Sequence, residues 1–241
     1  MKALVLSSGG LDSTVCLAHA VSKYGSENVI SASIFYGQAH DKELQCARKI
    51  AEYYNVKHIE EDVSNIMVYA KDVCSLISGS SVQMNDKSYA DQIKEDGSPN
   101  TEVPFRNGLF LSIAASLAMS LFPGEETQIV YGAHADDAAG NAYPDCTPEF
   151  ADAMDKAISI GSRDKLHVER PLINLNKAGV VKMGIGLNVP FEMTWSCYHG
   201  REKACGVCGT CRDRIQAFKL NGIADPVEYK GENPFRDLKR S

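Results

Sequence analysis

No apolar run in this chain is long enough to cross a bilayer; the longest nearly apolar stretch, Leu109 to Phe122, reads as a buried helix. The start, MKALVLSSGG, has too short an apolar core for a secretion signal. Basic residues do not predominate: 25 Lys and Arg stand against 31 Asp and Glu, a net charge of −6. That balance argues against a non-specific nucleic-acid binder, which needs a basic face, but leaves room for a local basic patch facing a small anion. There is no internal repeat and no low-complexity segment. Also missing is the pattern of glycine, four residues, glycine, lysine found in the commonest phosphate loop, which disfavours phosphoryl transfer of the kinase or GTPase type. What remains is ordinary globular composition, 241 residues with 44% hydrophobic and 23% charged, enough for one large domain with or without a small appendage. With no export signal, the protein is expected in the cytoplasm, with its eight cysteines as reduced thiols or metal ligands.

Strand-like and helix-like segments alternate. Ala3 to Leu6, Val29 to Phe35, Val56 to Ile59, Gln128 to Tyr131 and Leu166 to Glu169 predict short strands. Helical patterns cover Leu11 to about Tyr24, Asp41 to Tyr54, Asn107 to Leu121, Pro148 to Ile160 and Asn176 to Leu187. The alternation predicts an α/β fold, a parallel sheet with helices on both faces and ligands at the carboxyl ends of its strands. Ser75 to Thr101 is polar and rich in turn signals, so a lid insertion is expected near residues 75–104. From Cys197 the composition shifts to cysteine, glycine and basic residues, and the chain is expected to divide into a main domain, 1–190, and a small C-terminal element, 191–241.

The stretch LVLSSGGLDST, residues 4–14, turns from the first strand into the first helix. Gly9 and Gly10 permit a tight turn with N–H groups close to a ligand, and the helix aims its positive end at the same point. Ser8, Ser13 and Thr14 offer hydroxyl donors, while Asp12 either caps the helix or holds magnesium. The plainer alternative is an ordinary glycine-rich turn. Ser8, Gly9, Gly10, Asp12 and Ser13 resemble the Ser-Gly-Gly-x-Asp-Ser loop of the N-type ATP pyrophosphatases. This resemblance implies cleavage of ATP between its α and β phosphates, transfer of AMP to an acceptor oxygen, and retention of pyrophosphate by the loop. It assigns Ser7, Ser8, Gly9, Gly10, Leu11, Asp12, Ser13 and Thr14 to the nucleotide, with Asp12 and Ser13 catalytic. A leaving group held by N–H groups, hydroxyls and magnesium requires no lysine in the loop.

Farther on stands TWSCYHGREKACGVCGTCRDR, which holds Cys197, Cys205, Cys208 and Cys211. Four thiolates in one short segment suit a closed tetrahedral zinc site with a structural role. An iron–sulfur cluster is the rival, but in ferredoxins the fourth cysteine follows the paired ones and precedes a proline, unlike here. His199 is an alternative ligand to Cys197. The surrounding Arg201, Lys203, Arg212, Arg214 and Lys219 are expected to be solvated charges rather than a nucleic-acid surface, given the acidic balance of the chain.

Between these motifs lie PNTEVPFRNGLF and GAHADDAAGNAYPDCTPEF. Arg106, just before a buried helix, suits a carboxylate or acyl-phosphate, and Asn107 beside it suits a helix cap. Asp145 is placed to accept hydrogen bonds from a guanine-type edge, with Tyr143 packing nearby. Asp136 and Asp137 are candidate magnesium ligands, His134 has no evident partner, and Lys177 is expected to face solvent unless it reaches phosphate. Taken together, SGGLDST, VPFRN, YPDCTPEF, TWSCY and CGVCGTC resemble the 7-cyano-7-deazaguanine synthase family over nearly the whole chain. The resemblance implies a Rossmann-like adenylating ligase, a homodimer with one zinc ion per chain and no direct nucleic-acid or membrane partner. Its substrates would be ATP with magnesium, ammonia and 7-carboxy-7-deazaguanine. Arg106 would be catalytic, and Arg106, Asn107, Tyr143 and Asp145 would serve the deazaguanine. One departure is the segment before Tyr143, which is longer than the family's usual Asp-x-Ser-Gly-Tyr-Pro-Asp-Cys.

Overall fold

The computed structural model describes residues 1–39, 41–85, 89–199 and 202–231. Five parallel strands form one sheet: β1 Lys2–Leu6, β2 Val29–Phe35, β3 Lys57–Asp62, β4 Thr127–Val130 and β5 Leu166–Glu169. Between and after them come the helices α1 Leu11–Tyr24, α2 Lys42–Tyr53, α3 Ser64–Met67, α4 Tyr89–Asp96, α5 Arg106–Leu121, α6 Ala135–Ala138, α7 Pro148–Gly161, α8 Lys177–Gly186 and α9 Gly209–Leu220. All five expected strands form, and β3 runs on past Ile59 to Asp62.

The strand order is β3-β2-β1-β4-β5, every pair parallel. Ala3, Leu4 and Val5 of β1 are wholly buried because both faces of the sheet are covered. On one face Ala3, Val5 and Val29 pack with Val15 of α1, Ile50 of α2, Val181 of α8 and Phe218 of α9. On the other, Leu4, Ala32 and Ile129 pack with Leu111 of α5 and Ile158 of α7. Each such large side chain contributes about 1.5–3 kcal/mol by leaving water.

Local signals fix the helix starts. Thr147 accepts a hydrogen bond from Phe150 N at the head of α7, with Pro148 in the first turn, and Asn176 accepts one from Gly179 N at the head of α8. The chain winds outward from β1 in both directions, so the loops after β1 and β4 part at the sheet's centre and leave a crevice at its carboxyl end. In the expected lid, α4 is the one helix among the described residues, and Cys74, Ile77 and Val103 anchor its two ends against Ile34 and Tyr36. No helix among the described residues is long and apolar enough to cross a membrane.

The C-terminal element has its own small core of Trp195, Cys197, Cys208, Cys211, Ile215 and Tyr229. Arg214, expected to be a solvated charge, is instead 2% exposed and pairs with the equally buried Asp225. Its Nε and Nη2 donate to the two Asp225 oxygens at 2.7 and 3.0 Å, and it also donates to Phe191 O, Thr194 Oγ1 and Ser196 Oγ. Lys203, Arg212 and Lys219 are exposed, as expected; Arg201 lies outside the described residues.

Candidate active site and cysteine cluster

The crevice between the β1 and β4 loops opens into a cleft of about 610 Å³ lined by Ser8, Gly10, Asp12, Ser13, Arg106, Asn107, His134, Tyr143 and Lys177 among others. Its floor is the loop of residues 7–10. Ser8 N donates to Ser13 Oγ at 3.1 Å, Gly10 N donates to Ser8 Oγ at 3.2 Å, and Thr14 Oγ1 donates to Gly10 O at 2.7 Å. Gly9 has φ +83°, and a Cβ there would lie 2.1 Å from Glu43 O, so only glycine lets the loop press against α2. From the C-terminal element, Trp195 N donates to Gly9 O at 2.9 Å.

At one end of the cleft Lys177 Nζ donates to both Asp12 oxygens, at 2.8 and 2.7 Å. Lys177 therefore faces the loop rather than solvent. Burial pushes the Asp12 carboxyl up, but Lys177 and then His134 outweigh it and hold the group below its ordinary value. His134, 2% exposed, acquires the partners its sequence did not reveal: its Nε2 lies 3.1 Å from Lys177 Nζ and 3.3 Å from Asp137 Oδ2. Its Nδ1 is buried with no hydrogen-bond partner among the described residues. Asp136 accepts Lys177 N at 2.7 Å and so caps α8. Burial raises the Asp137 carboxyl despite His134 and Lys177.

The other end holds Arg106, Tyr36, Glu43, Thr101, Tyr143 and Tyr198. Tyr143 OH and Thr101 Oγ1 lie 2.7 Å apart, joining the end of the expected lid to the turn before α7. Burial pushes the Tyr36 hydroxyl up to about 12. Asp145 takes a different place from its neighbours: it does not line the cleft, and its Oδ2 accepts Asn107 N at 2.9 Å at the head of α5. Asn107 Nδ2 returns to Asp145 O at 3.1 Å. Sequence reasoning passed over Glu43 and Tyr36, because nothing in their spacing sets them apart from an ordinary helix start and strand end.

The Sγ atoms of Cys197, Cys205, Cys208 and Cys211 all lie within 4.8 Å of one another, those of Cys205 and Cys211 at 3.9 Å. Four sulfurs about 2.3 Å from one tetrahedral ion stand about 3.8 Å apart, so the donor set fits a single soft or borderline metal ion. Backbone N–H groups of Cys205, Val207 and Cys208 point at these sulfurs at 3.3–3.4 Å, as suits thiolates. The other four cysteines are free thiols apart from this group.

A parallel sheet that changes winding direction at β1, with a Ser-Gly-Gly loop at the switch point, defines a Rossmann-like α/β protein of the PP-loop class. Solved structures agree on the fold. NMN synthetase from Francisella tularensis superimposes with a TM-score of 0.51 at 15% identity, over 96% of this chain and 79% of that one. The U34-tRNA thiolase NcsA from Methanococcus maripaludis, solved with its [4Fe-4S] cluster, gives 0.50 at 16% identity over 92% and 66%. The chain belongs to the family described as "Queuosine biosynthesis protein QueC", whose profile matches residues 2–222. Its relatives include a 7-cyano-7-deazaguanine synthase from Thermoplasma volcanium, 44% identical over 95% of this chain and 90% of that protein. Another, from Oceanobacillus iheyensis, is 42% identical over 95% and 98%.

Proposed function

We propose that this chain is a 7-cyano-7-deazaguanine synthase, an ATP-dependent carbon–nitrogen ligase that converts 7-carboxy-7-deazaguanine and ammonia to the nitrile. The observation that carries this is the identity of 37–44% to synthases of that name over 95–96% of the chain. ATP binds with its pyrophosphate on Ser7 to Thr14, where N–H groups, the Ser8 and Ser13 hydroxyls and the head of α1 take up negative charge. Lys177 adds a cation at the same place. The carboxylates of Asp12 and Asp137 are the hard oxygen donors to hold magnesium, which when bound neutralises phosphate charge. Arg106 faces the acceptor and offsets the charge of its carboxylate before attack on the α-phosphorus. Asn107 and Tyr143 flank the deazaguanine, and Asp145 serves it through Asn107.

Ammonia displaces AMP from the acyl-adenylate to give the amide, and a second ATP activates the amide oxygen so that loss of AMP leaves the nitrile. Residues 75–104 act as a lid over the acceptor end of the main domain, 1–190. The element 191–241 holds one structural zinc ion on its four cysteines, as the single-ion sulfur spacing favours. Two chains form a homodimer, as the family resemblance implies. The test is to incubate the protein with ATP, ammonium and 7-carboxy-7-deazaguanine. Nitrile, AMP and pyrophosphate are expected by mass spectrometry and nucleotide chromatography, and Asp12→Ala should lose turnover while melting near the wild type. ADP as the nucleotide product, or a final product that is the amide, would overturn the assignment.

A further inference from the structure

Between ammonia and a nitrile, one nitrogen gives up three protons, so a synthase needs a proton acceptor on the nitrogen's side of the acceptor carbon. The cleft carboxylates are unevenly placed and unevenly committed. Asp12 is held by Lys177, Asp136 by Lys177 N, and Asp137 faces His134. Asp213, also in the cleft, lies within the influence of Lys177, Asp136 and Asp137 at the same end. Only Glu43 stands at the Arg106 end among the described lining residues.

The place of Glu43 is fixed by backbone packing. It lies in the first turn of α2, and its carbonyl abuts Gly9 so tightly that no Cβ fits between them. The residue is thus built into the wall of the nucleotide loop, while its side chain belongs to the end occupied by Arg106 and Tyr36. On the synthase assignment, that wall separates the end proposed for phosphate from the end proposed for the acceptor carbon. Among the described residues its carboxyl has no hydrogen-bond or ion-pair partner.

We propose that Glu43 is the general base that removes protons from the nitrogen, an inference that rests on the synthase assignment. In amide formation the nitrogen lone pair forms the N–C bond. The C–O bond to AMP breaks with its electron pair on the AMP oxygen, and an N–H proton passes to a Glu43 carboxylate oxygen. In nitrile formation the nitrogen of the adenylated amide carries the two remaining protons; both pass in turn to the same carboxylate, which gives the first to solvent before it takes the second. The C≡N bond completes as the second C–O bond breaks with its electron pair on the AMP oxygen. Between steps the proton leaves to solvent through the open cleft. Burial supports this by pushing the carboxyl up to about 7 despite the opposing Arg106, which poises it near neutral pH. Of the other groups facing it, Tyr36 and Cys46 are both pushed up by burial and stay neutral there.

The experiment compares wild type, Glu43→Gln and Glu43→Asp in two assays. Acid-dependent exchange of labelled pyrophosphate into ATP reads adenylation alone, and ammonium-dependent turnover reads the proton transfers. For the Gln variant, exchange within threefold of wild type is expected. Turnover should fall by about 10²–10⁴-fold, the usual contribution of a general base. The acid limb of the wild-type rate profile, near pH 7, should vanish with it, and Glu43→Asp should recover part of the rate. Turnover within tenfold of wild type in the Gln variant, or an exchange rate that falls in parallel with turnover, overturns the proposal while leaving the synthase assignment intact. A wild type that makes neither amide nor nitrile overturns both.

Discussion

Replacing Asp225 with Ala removes the partner of a guanidinium that has nowhere else to put its charge. Arg214 and Asp225 are each 2% exposed, and two of the Arg214 donors end on the Asp225 carboxylate. Tyr229 OH and Val227 N also donate to it, so the substitution orphans four donors at once. Arginine does not escape by losing its proton. Breaking one side of a buried pair costs about 3–5 kcal/mol, about a fifth or more of the stability of an ordinary domain. The effect should spread along a defined path. Arg214 also holds Phe191 O and Thr194 Oγ1, and the next residue, Trp195, donates to Gly9 O in the Ser-Gly-Gly loop. Trp195 is the single tryptophan of the chain, so its fluorescence reports this junction, while far-UV circular dichroism reports the whole fold. In urea, the Asp225→Ala fluorescence transition should move to lower denaturant ahead of the dichroism transition, and the KM for ATP should rise. A loss under about 1 kcal/mol by both probes would refute the idea that this pair ties the C-terminal element to the loop.

Two further predictions concern metal and pH. Cys208→Ser should release about one zinc ion per chain by elemental analysis and loosen the C-terminal element, because metal binding and local folding are coupled in so small a unit. Iron in the wild type, or a folded and active metal-free protein, would count against it. Glu169 accepts hydrogen bonds from His19, Lys23 and Tyr24; burial alone would raise its pKa, but these three outweigh it and bring it from 4.5 to about 2. A depressed carboxyl contributes stability above pH 4.5 and loses it as pH falls through 2, a contribution of up to about 3 kcal/mol. Glu169→Gln should therefore lower stability most at neutral pH, and its gap from wild type should close between pH 4.5 and 2; a gap that does not vary with pH would show that the carboxylate's charge is not what matters.

The sheet was legible because strands buried on both faces carry apolar residues at nearly every position, as in Lys2–Leu6 and Val29–Phe35, and punctuation by helix caps such as Thr147 and Asn176 needs only local sequence. The Ser-Gly-Gly loop and the cysteine cluster were legible for the same reason, since each lies within a short segment. Contacts made by the topology were not legible. Lys177 meets Asp12 across 165 residues, and His134 joins them only because β4 lies beside β1 in the sheet. A lysine in the first turn of a helix looks solvent-facing until the strand order places that turn over the loop. Arg214 misled for a related reason: in a segment rich in basic residues it reads as one more surface charge, and its partner, Asp225, lies beyond the helix that carries it. Charge counts describe the surface as a whole, whereas a buried pair depends on which two side chains the fold brings face to face. The same holds for Glu43, whose carbonyl must touch a glycine 34 positions earlier before its carboxyl has any reason to stand out. Residues that line opposite ends of the cleft come from separate strands, helices and loops. In this chain, therefore, the Ser-Gly-Gly end of the cleft can be read from a motif, while the Arg106 end has to be read from the packing.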